Sequence, residues 1–253
     1  MTIENSAVRV LFDDTQRYVA DGAHIIVRQQ IVKRLLPDVT GMRILDLGCG
    51  DGRLSLQFAQ AASLVTLVDL SDRMLARARS NVPADCGARL RFVRANGLTF
   101  RDQPYDVVLC VGVLAHVPSV EGMVARAAQL TRDGGLCIFQ VTDAGCLVGK
   151  LQYAYLHLRH RVRNPIGYQM NWITRNGLCE IAARHGLDLV TERRHSMLLP
   201  GMGRLSPDRR VRYDSFVMNT PLLSRHAQEV LAMFRRSDPL AHSPGRSAVI
   251  PGS

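Results

Sequence analysis

From residue 40 onward, short apolar runs alternate with longer stretches in which apolar residues recur every three or four positions. Runs of four to eight apolar or β-branched residues predict buried strands, and the longer pattern predicts helices lying over them. The runs at residues 43–47, 64–69, 90–94, 105–111 and 136–141 give five strands. Helices are expected at 52–61, 71–80 and 120–130, with Ser71 as an N-cap, and a turn at Asp133-Gly134-Gly135 precedes the fifth strand. This is the signature of an α/β fold: a doubly wound, mostly parallel sheet with helices on both faces.

Before the sheet, residues 23–36 place Ile26, Val27, Ile31, Leu35 and Leu36 on one helix face, and Pro37 stops it; this predicts a cap helix. After the fifth strand the rhythm breaks over residues 144–170. Tyr153, Tyr155 and Tyr168 are interleaved there with His157, Arg159, His160, Arg161 and Arg163, and Pro165-Ile166-Gly167 is a breaker. An insertion beyond the carboxyl end of a strand is where a substrate lid sits. A helix at 174–185 closed by Gly186 and a strand at 187–191 follow. Residues 208–217 read as helix or strand, 222–235 as a helix, and 237–253 as a loose tail. The expected organisation is a cap segment at 1–39, a ligand-binding core at 40–142, a lid at 143–173, the rest of the core with C-terminal helices at 174–236, and the tail.

Composition narrows the class. At 253 residues, 47% hydrophobic and 21% charged, the chain has the balance of a soluble globular protein, and no apolar run of about 18 residues predicts a membrane span. The N-terminal stretch carries acids among short apolar groups, unlike a secretory leader, so a cytoplasmic location is expected. The six cysteines show neither disulfide nor zinc spacing, and no metal site is expected. The net charge of +10 suits an anionic partner. Nothing in the pattern decides between monomer and homodimer.

The candidate chemistry is concentrated in "RILDLGCGDGRL", residues 43–54. Gly48, Gly50 and Gly52 follow the first strand and open a helix, where a ligand can approach bare backbone and free N–H groups. A dinucleotide loop spaces its glycines G-x-G-x-x-G; here the third comes one residue early, Arg53 stands in its place, and Asp51 repels phosphate. Asp46 adds a second carboxylate at the same edge, which suits an ammonium or sulfonium group. At the end of the second strand, Asp69 offers two oxygens to the two hydroxyls of a ribose.

Together, "DLGCGDG" and "VDLSDRML" resemble the first two motifs of the class I S-adenosylmethionine-dependent methyltransferases, and the likeness runs over residues 40–141. The resemblance implies S-adenosylmethionine as cofactor, with the loop of Gly48, Cys49, Gly50 and Gly52 against its methionine part and Asp46 near its amino group. Asp69 would hold the ribose, while Leu70 and Met74 would flank the adenine. Where this family often has an acid beside the adenine amino group, the present chain has Asn96, followed by Gly97. The segment "YDVVLCVGVLAHVP" resembles the motif after strand four, with the backbone near Val111 at the methionine end. Asp106, at the start of that strand, is expected to be structural.

His116 lies within reach of the methyl position and reads either as general base or as helix cap and pocket lining. Tyr18, Tyr153, His157, Tyr168 and Trp172 are candidates for an acceptor pocket; packing of an inserted helix is the plainer alternative for the lid aromatics. The expected activity is methyl transfer to an O, N or C atom of a small biosynthetic intermediate, with phosphate or carboxylate on the acceptor matching the arginines. The alternative is an RNA methyltransferase holding phosphates with "HLRHRVRNP", and a third reading is a cofactor-binding protein without turnover.

Overall fold

Among the described residues seven strands form one sheet, in which the third, second, first, fourth, fifth, seventh and sixth strands of the chain lie side by side. The computed structural model describes residues 22–146, 148, 150, 154, 171–197 and 206–237. In chain order the elements are α1 (Gly22–Leu35), β1 (Arg43–Leu47), α2 (Arg53–Leu56), β2 (Leu64–Asp69), α3 (Asp72–Ser80), β3 (Arg89–Arg94) and β4 (Tyr105–Cys110). A single 3-10 turn (Leu114–His116) leads to α4 (Val120–Leu130), β5 (Thr131–Thr142), α5 (Arg175–Arg184), β6 (Leu187–His195), α6 (Pro207–Asn219), α7 (Pro221–Ser224) and β7 (Glu229–Arg236). β1 to β5 run parallel, and β7 is inserted antiparallel between β5 and β6. Two hydrophobic layers cover the sheet: Val27, Ile31, Val32 and Leu35 of α1 pack into one, and Met123, Val124 and Ala127 of α4 with Leu178 and Ala182 of α5 into the other. The doubly wound fold and the cap helix are as expected. The lid expected at 143–173 and the tail expected at 237–253 lie outside the described residues, apart from 143–146, 148, 150, 154 and 171–173 of the former and 237 of the latter.

Four local expectations change, and a fifth, left open between helix and strand, is resolved. The helix expected at 52–61 is one α-helical turn, after which the chain tightens into i+3 turns, with Ser55 O accepting Phe58 N (3.0 Å), Leu56 O accepting Ala59 N (3.0 Å) and Phe58 O accepting Ala61 N (3.1 Å). Ala59 O accepts Gly87 N (3.0 Å) and Ala88 N (2.8 Å), and Ala61 O accepts Gly41 N (3.0 Å). The fifth strand starts at Thr131 rather than 136, running through Gly134 at φ 72 with a register shift against Tyr105 and Val107. Residues 208–217 are helical, started by Pro207 at its first position. The largest correction is at 222–235, where the expected helix is a single turn followed by β7. Residues 229–234 are all buried because β7 is paired on both edges and covered on both faces. Such a strand reads as a continuous apolar run, which periodicity alone does not separate from a buried helix. The strand at 187–191 likewise extends to His195.

Candidate active site

The site lies at the carboxyl ends of β1, β2 and β4. Leaving β1, the chain turns through three left-handed glycines, Gly48 (φ 74), Gly50 (φ 55) and Gly52 (φ 73). Backbone bonds lace this loop to its neighbour strand: Gly48 N and Cys49 N donate to Val68 O (2.8 and 3.0 Å), and Gly52 N to Cys49 O (3.0 Å). The glycines divide their work. A Cβ on Gly48 would lie 2.5 Å from Val113 Cγ2, and one on Gly52 2.8 Å from Leu67 Cδ2 and 3.0 Å from the Ala78 Cβ. A Cβ on Gly50 would meet nothing within 4 Å. Gly48 and Gly52 are therefore required by packing, whereas Gly50 leaves space for a ligand. Gly52 borders neither of the two cavities described next.

The larger cavity, about 820 Å³ counting its open mouth, runs over Gly48 and Gly50, past Asp69, Leu70 and Met74, to Asn96 and Gly97, and on the other side to Gly112, Val113 and His116. A smaller one shares Gly48 and Gly50 and extends to Ile25, Arg28, Asp46, Cys49, Asp51 and Val111. The two meet over the glycine loop. Asp69 stands at the junction: Oδ2 accepts Gly50 N (2.9 Å) and Oδ1 accepts Ser71 N (2.9 Å). Ser71 caps α3 by accepting Met74 N (3.3 Å), so Asp69 is not needed as that cap.

Electrostatically, the smaller cavity is acid-lined. Asp46 is 2% exposed and its Oδ2 has no hydrogen-bond partner among the described residues. Burial pushes its carboxyl up to about 7, the Asp69 and Asp51 charges add to the rise, and a hydrogen bond with Ser55 opposes it. Burial also pushes the Cys49 thiol up, helped by Asp46, so it is a neutral wall. Asp51 pairs with Arg53 (2.7 Å), which accounts for the arginine after the third glycine. Asn96 turns its Oδ1 to Leu98 N (3.0 Å).

His116 ends the 3-10 turn and faces the larger cavity. Burial lowers its pKa to about 4, with the Arg28 charge contributing. The helix that follows is capped by Ser119, whose Oγ accepts Gly122 N (2.9 Å), so capping is not the role of His116. Trp172 lies beside the same turn: its neighbour Asn171 donates from Nδ2 to Leu114 O (3.0 Å) and Val117 O (2.6 Å). Trp172 borders neither cavity. Tyr18, Tyr153, His157 and Tyr168 lie outside the described residues. Asp106 is at the opposite edge of the sheet, accepting Arg43 N (2.8 Å) and pairing with Arg132.

Two residues at the site were missed in the chain pattern. Arg28 sits on the cap helix, outside the strand-end motifs, and Gly112, at φ 75, places a bare backbone 3.2 Å from Arg28 Nη1 at the position of a Cβ. Only the glycine two residues past β4 could have been suspected. Among the described residues no group of His, Cys, Asp or Glu could hold a metal ion.

A family model described as a methyltransferase domain matches residues 10–192, most of the chain. The chain belongs to the methyltransferase domain family. Its sheet order and strand-end cavities are thus those of a methyltransferase domain. Ubiquinone biosynthesis O-methyltransferases are similar to it over one stretch: that of Aromatoleum aromaticum is 38% identical over 108 residues, 42% of this chain and 46% of the relative. That of Bordetella pertussis is 38% identical over 109 residues, 42% and 44%. The chain therefore matches under half the length of these relatives. Among solved structures, magnesium protoporphyrin IX methyltransferase from Synechocystis with bound SAH superposes with a TM-score of 0.66 at 17% identity, covering 92% of this chain and all (100%) of that one. A possible histamine N-methyltransferase from Thermotoga maritima gives 0.62 at 15%, covering 91% and 97%. These two establish a shared fold.

Proposed function

We propose that this domain binds S-adenosylmethionine across the glycine loop and transfers its methyl group to a small-molecule acceptor. The observation that carries this is the buried carboxylate of Asp46, whose Oδ2 has no partner among the described residues, bordering a cavity that joins the Asp69 groove over the open backbone of Gly50. A buried carboxylate with one oxygen unmet is stabilised in its charged form by a cationic ligand, and the neighbouring groove has the nucleoside features of an acid at the end of β2 and an apolar slot. The residues fit the cofactor. Asp69 would take the ribose hydroxyls, and Leu70 and Met74 would sandwich the adenine with Asn96 and Gly97 at its edge. Asp46, Gly48, Cys49 and Val111 would surround the amino group, and Arg28 would face the carboxylate. When bound, S-adenosylmethionine supplies an electrophilic methyl on a sulfonium.

What the chain adds is alignment and proton removal. His116, held neutral, takes the proton of an acceptor lying over Gly112, and the walls formed by Val113, Val117 and Pro118 keep water from the line of attack. The O-methyltransferase relatives support an oxygen acceptor. The RNA reading rests on residues 157–165, outside the described set, and no described feature favours it. Among the described residues no helix is long and apolar enough to cross a membrane. The described cysteines are all free, which supports a reducing, cytoplasmic setting.

A calorimetric titration at two pH values tests the cofactor assignment. With the Asp46 carboxyl near 7, the free site is mostly neutral at pH 6 and mostly anionic at pH 8, so a cationic ligand binds about tenfold more tightly at pH 8. Asp51, Asp69, Cys49 and Arg28 border the same group. Asp46→Asn should flatten this dependence. Absence of S-adenosylmethionine binding at both pH values would contradict the assignment.

A further inference from the structure

A single helical turn leaves its closing carbonyls without partners of its own making. In the turn that carries His116, Leu114–His116, one distant residue supplies them. Asn171 donates from Nδ2 to Leu114 O (3.0 Å) and to Val117 O (2.6 Å), and its backbone N–H donates to Ala115 O (2.9 Å). These three carbonyls flank His116 in the chain, whose own N–H closes the turn on Val113 O (2.9 Å). An amide NH2 has two protons, and both are used here. The side chain is therefore oriented as well as held, since its oxygen could not face two carbonyl oxygens.

Asn171 stands on a fixed base. Two residues further on, Ile173 pairs with Asp143 in a parallel bridge, and its carbonyl accepts Ala144 N (3.4 Å) while its side chain packs into the same hydrophobic layer as α4 and α5. Thr174 then caps α5 by accepting Gly177 N (3.0 Å). Asp143 locks the junction: Oδ1 accepts Gly145 N (2.9 Å) and Arg175 N (3.0 Å), and Oδ2 pairs with Arg194 (2.9 Å). The turn after β4 is thus tied to the start of α5, and the imidazole it carries borders the cavity shared with Gly112 and Val113.

Resting on the methyltransferase reading above, we propose that Asn171 is a positioning residue for methyl transfer: it holds the turn Leu114–His116 so that the imidazole stays aimed into the cavity. Releasing the turn has two consequences for the ring. It loses alignment with the acceptor, and a misplacement of about 1 Å can cost about 10²-fold in rate. It also gains water. Burial is the main cause that brings this imidazole to about 4, with the Arg28 charge second, so a loosened ring returns toward the ordinary value of about 6.5. On the elements packed against the turn, Asp143 beyond β5 is paired with Arg194, and Glu121 of α4 with Arg184. Asp69 borders the same cavity from β2.

The test follows the His116 imidazole by NMR in histidine-labelled protein, its resonance assigned with His116→Ala, and compares the wild type with Asn171→Leu, which keeps the volume and has no donor. The wild-type ring should stay neutral down to about pH 5, whereas in the variant it should titrate about one unit higher or more. His195, buried on β6, should stay neutral in both and so reports that the rest of the fold is intact. At saturating S-adenosylmethionine, transfer of labelled methyl to a small-molecule extract should slow by about tenfold or more, with cofactor affinity unchanged by calorimetry. Asn171→Ala carries the test if Asn171→Leu does not fold. A merely structural role would lower the thermal midpoint alone; a His116 titration or a transfer rate that stays at the wild-type value would overturn the inference. A wild type that binds no S-adenosylmethionine would instead overturn the reading beneath it, and the inference with it.

Discussion

Replacing Asp69 by alanine should lower the affinity for S-adenosylmethionine by about 10²- to 10⁴-fold. Two ribose hydroxyls donating to one carboxylate are charge-assisted bonds worth about 1.5–3 kcal/mol each, and about 1.4 kcal/mol corresponds to tenfold. The same carboxylate accepts Gly50 N and Ser71 N, so the substitution also releases the loop against which the methionine part would lie. Both effects act in the same direction. Isothermal titration of the variant against the wild type reads the result, and an affinity within about threefold of wild type would remove Asp69 from the site.

His116→Ala should lower kcat by about 10²-fold or more while leaving cofactor affinity nearly intact, since in the proposed arrangement the imidazole meets the acceptor rather than the cofactor. A base must be unprotonated to act. Because burial, with Arg28, brings this group to about 4, its acid limb in the rate profile should fall near pH 4, and between pH 6 and 8 it should leave the rate flat. The same shift has a stability consequence. The folded chain refuses protons that the unfolded chain takes below about 6.5, so His116, and likewise the buried His195, contribute stability at neutral pH that is lost as the pH falls from there toward their folded values. Rate profiles of wild type and variant between pH 4 and 8 check the assignment; a variant with unchanged kcat would demote His116 to wall.

How much of this was legible beforehand depended on where each residue sits. The parallel half of the sheet announced itself because each strand is a short apolar run closed by a turn, and Gly48, Gly50 and Asp69 sit at those closures, where sequence distance and spatial distance are both short. β7 did not, since burial on both faces erases the alternation that marks a strand. The site was half visible for a related reason. Asp46 and Asp69 belong to strand ends, whereas Arg28 reaches Gly112 from a helix before the sheet begins. Contacts of that kind are set by topology rather than by local pattern. Gly52, grouped with the ligand loop by spacing, proved to be a packing requirement against Leu67 and Ala78.

The most direct measurement is transfer of an isotopically labelled methyl group from S-adenosylmethionine, read by mass spectrometry on a small-molecule extract and, in parallel, on RNA. The account predicts a labelled small molecule whose formation is lost in Asp69→Ala, and no label in RNA. Label appearing in RNA, or tightly bound cofactor with no labelled product in either fraction, would contradict it.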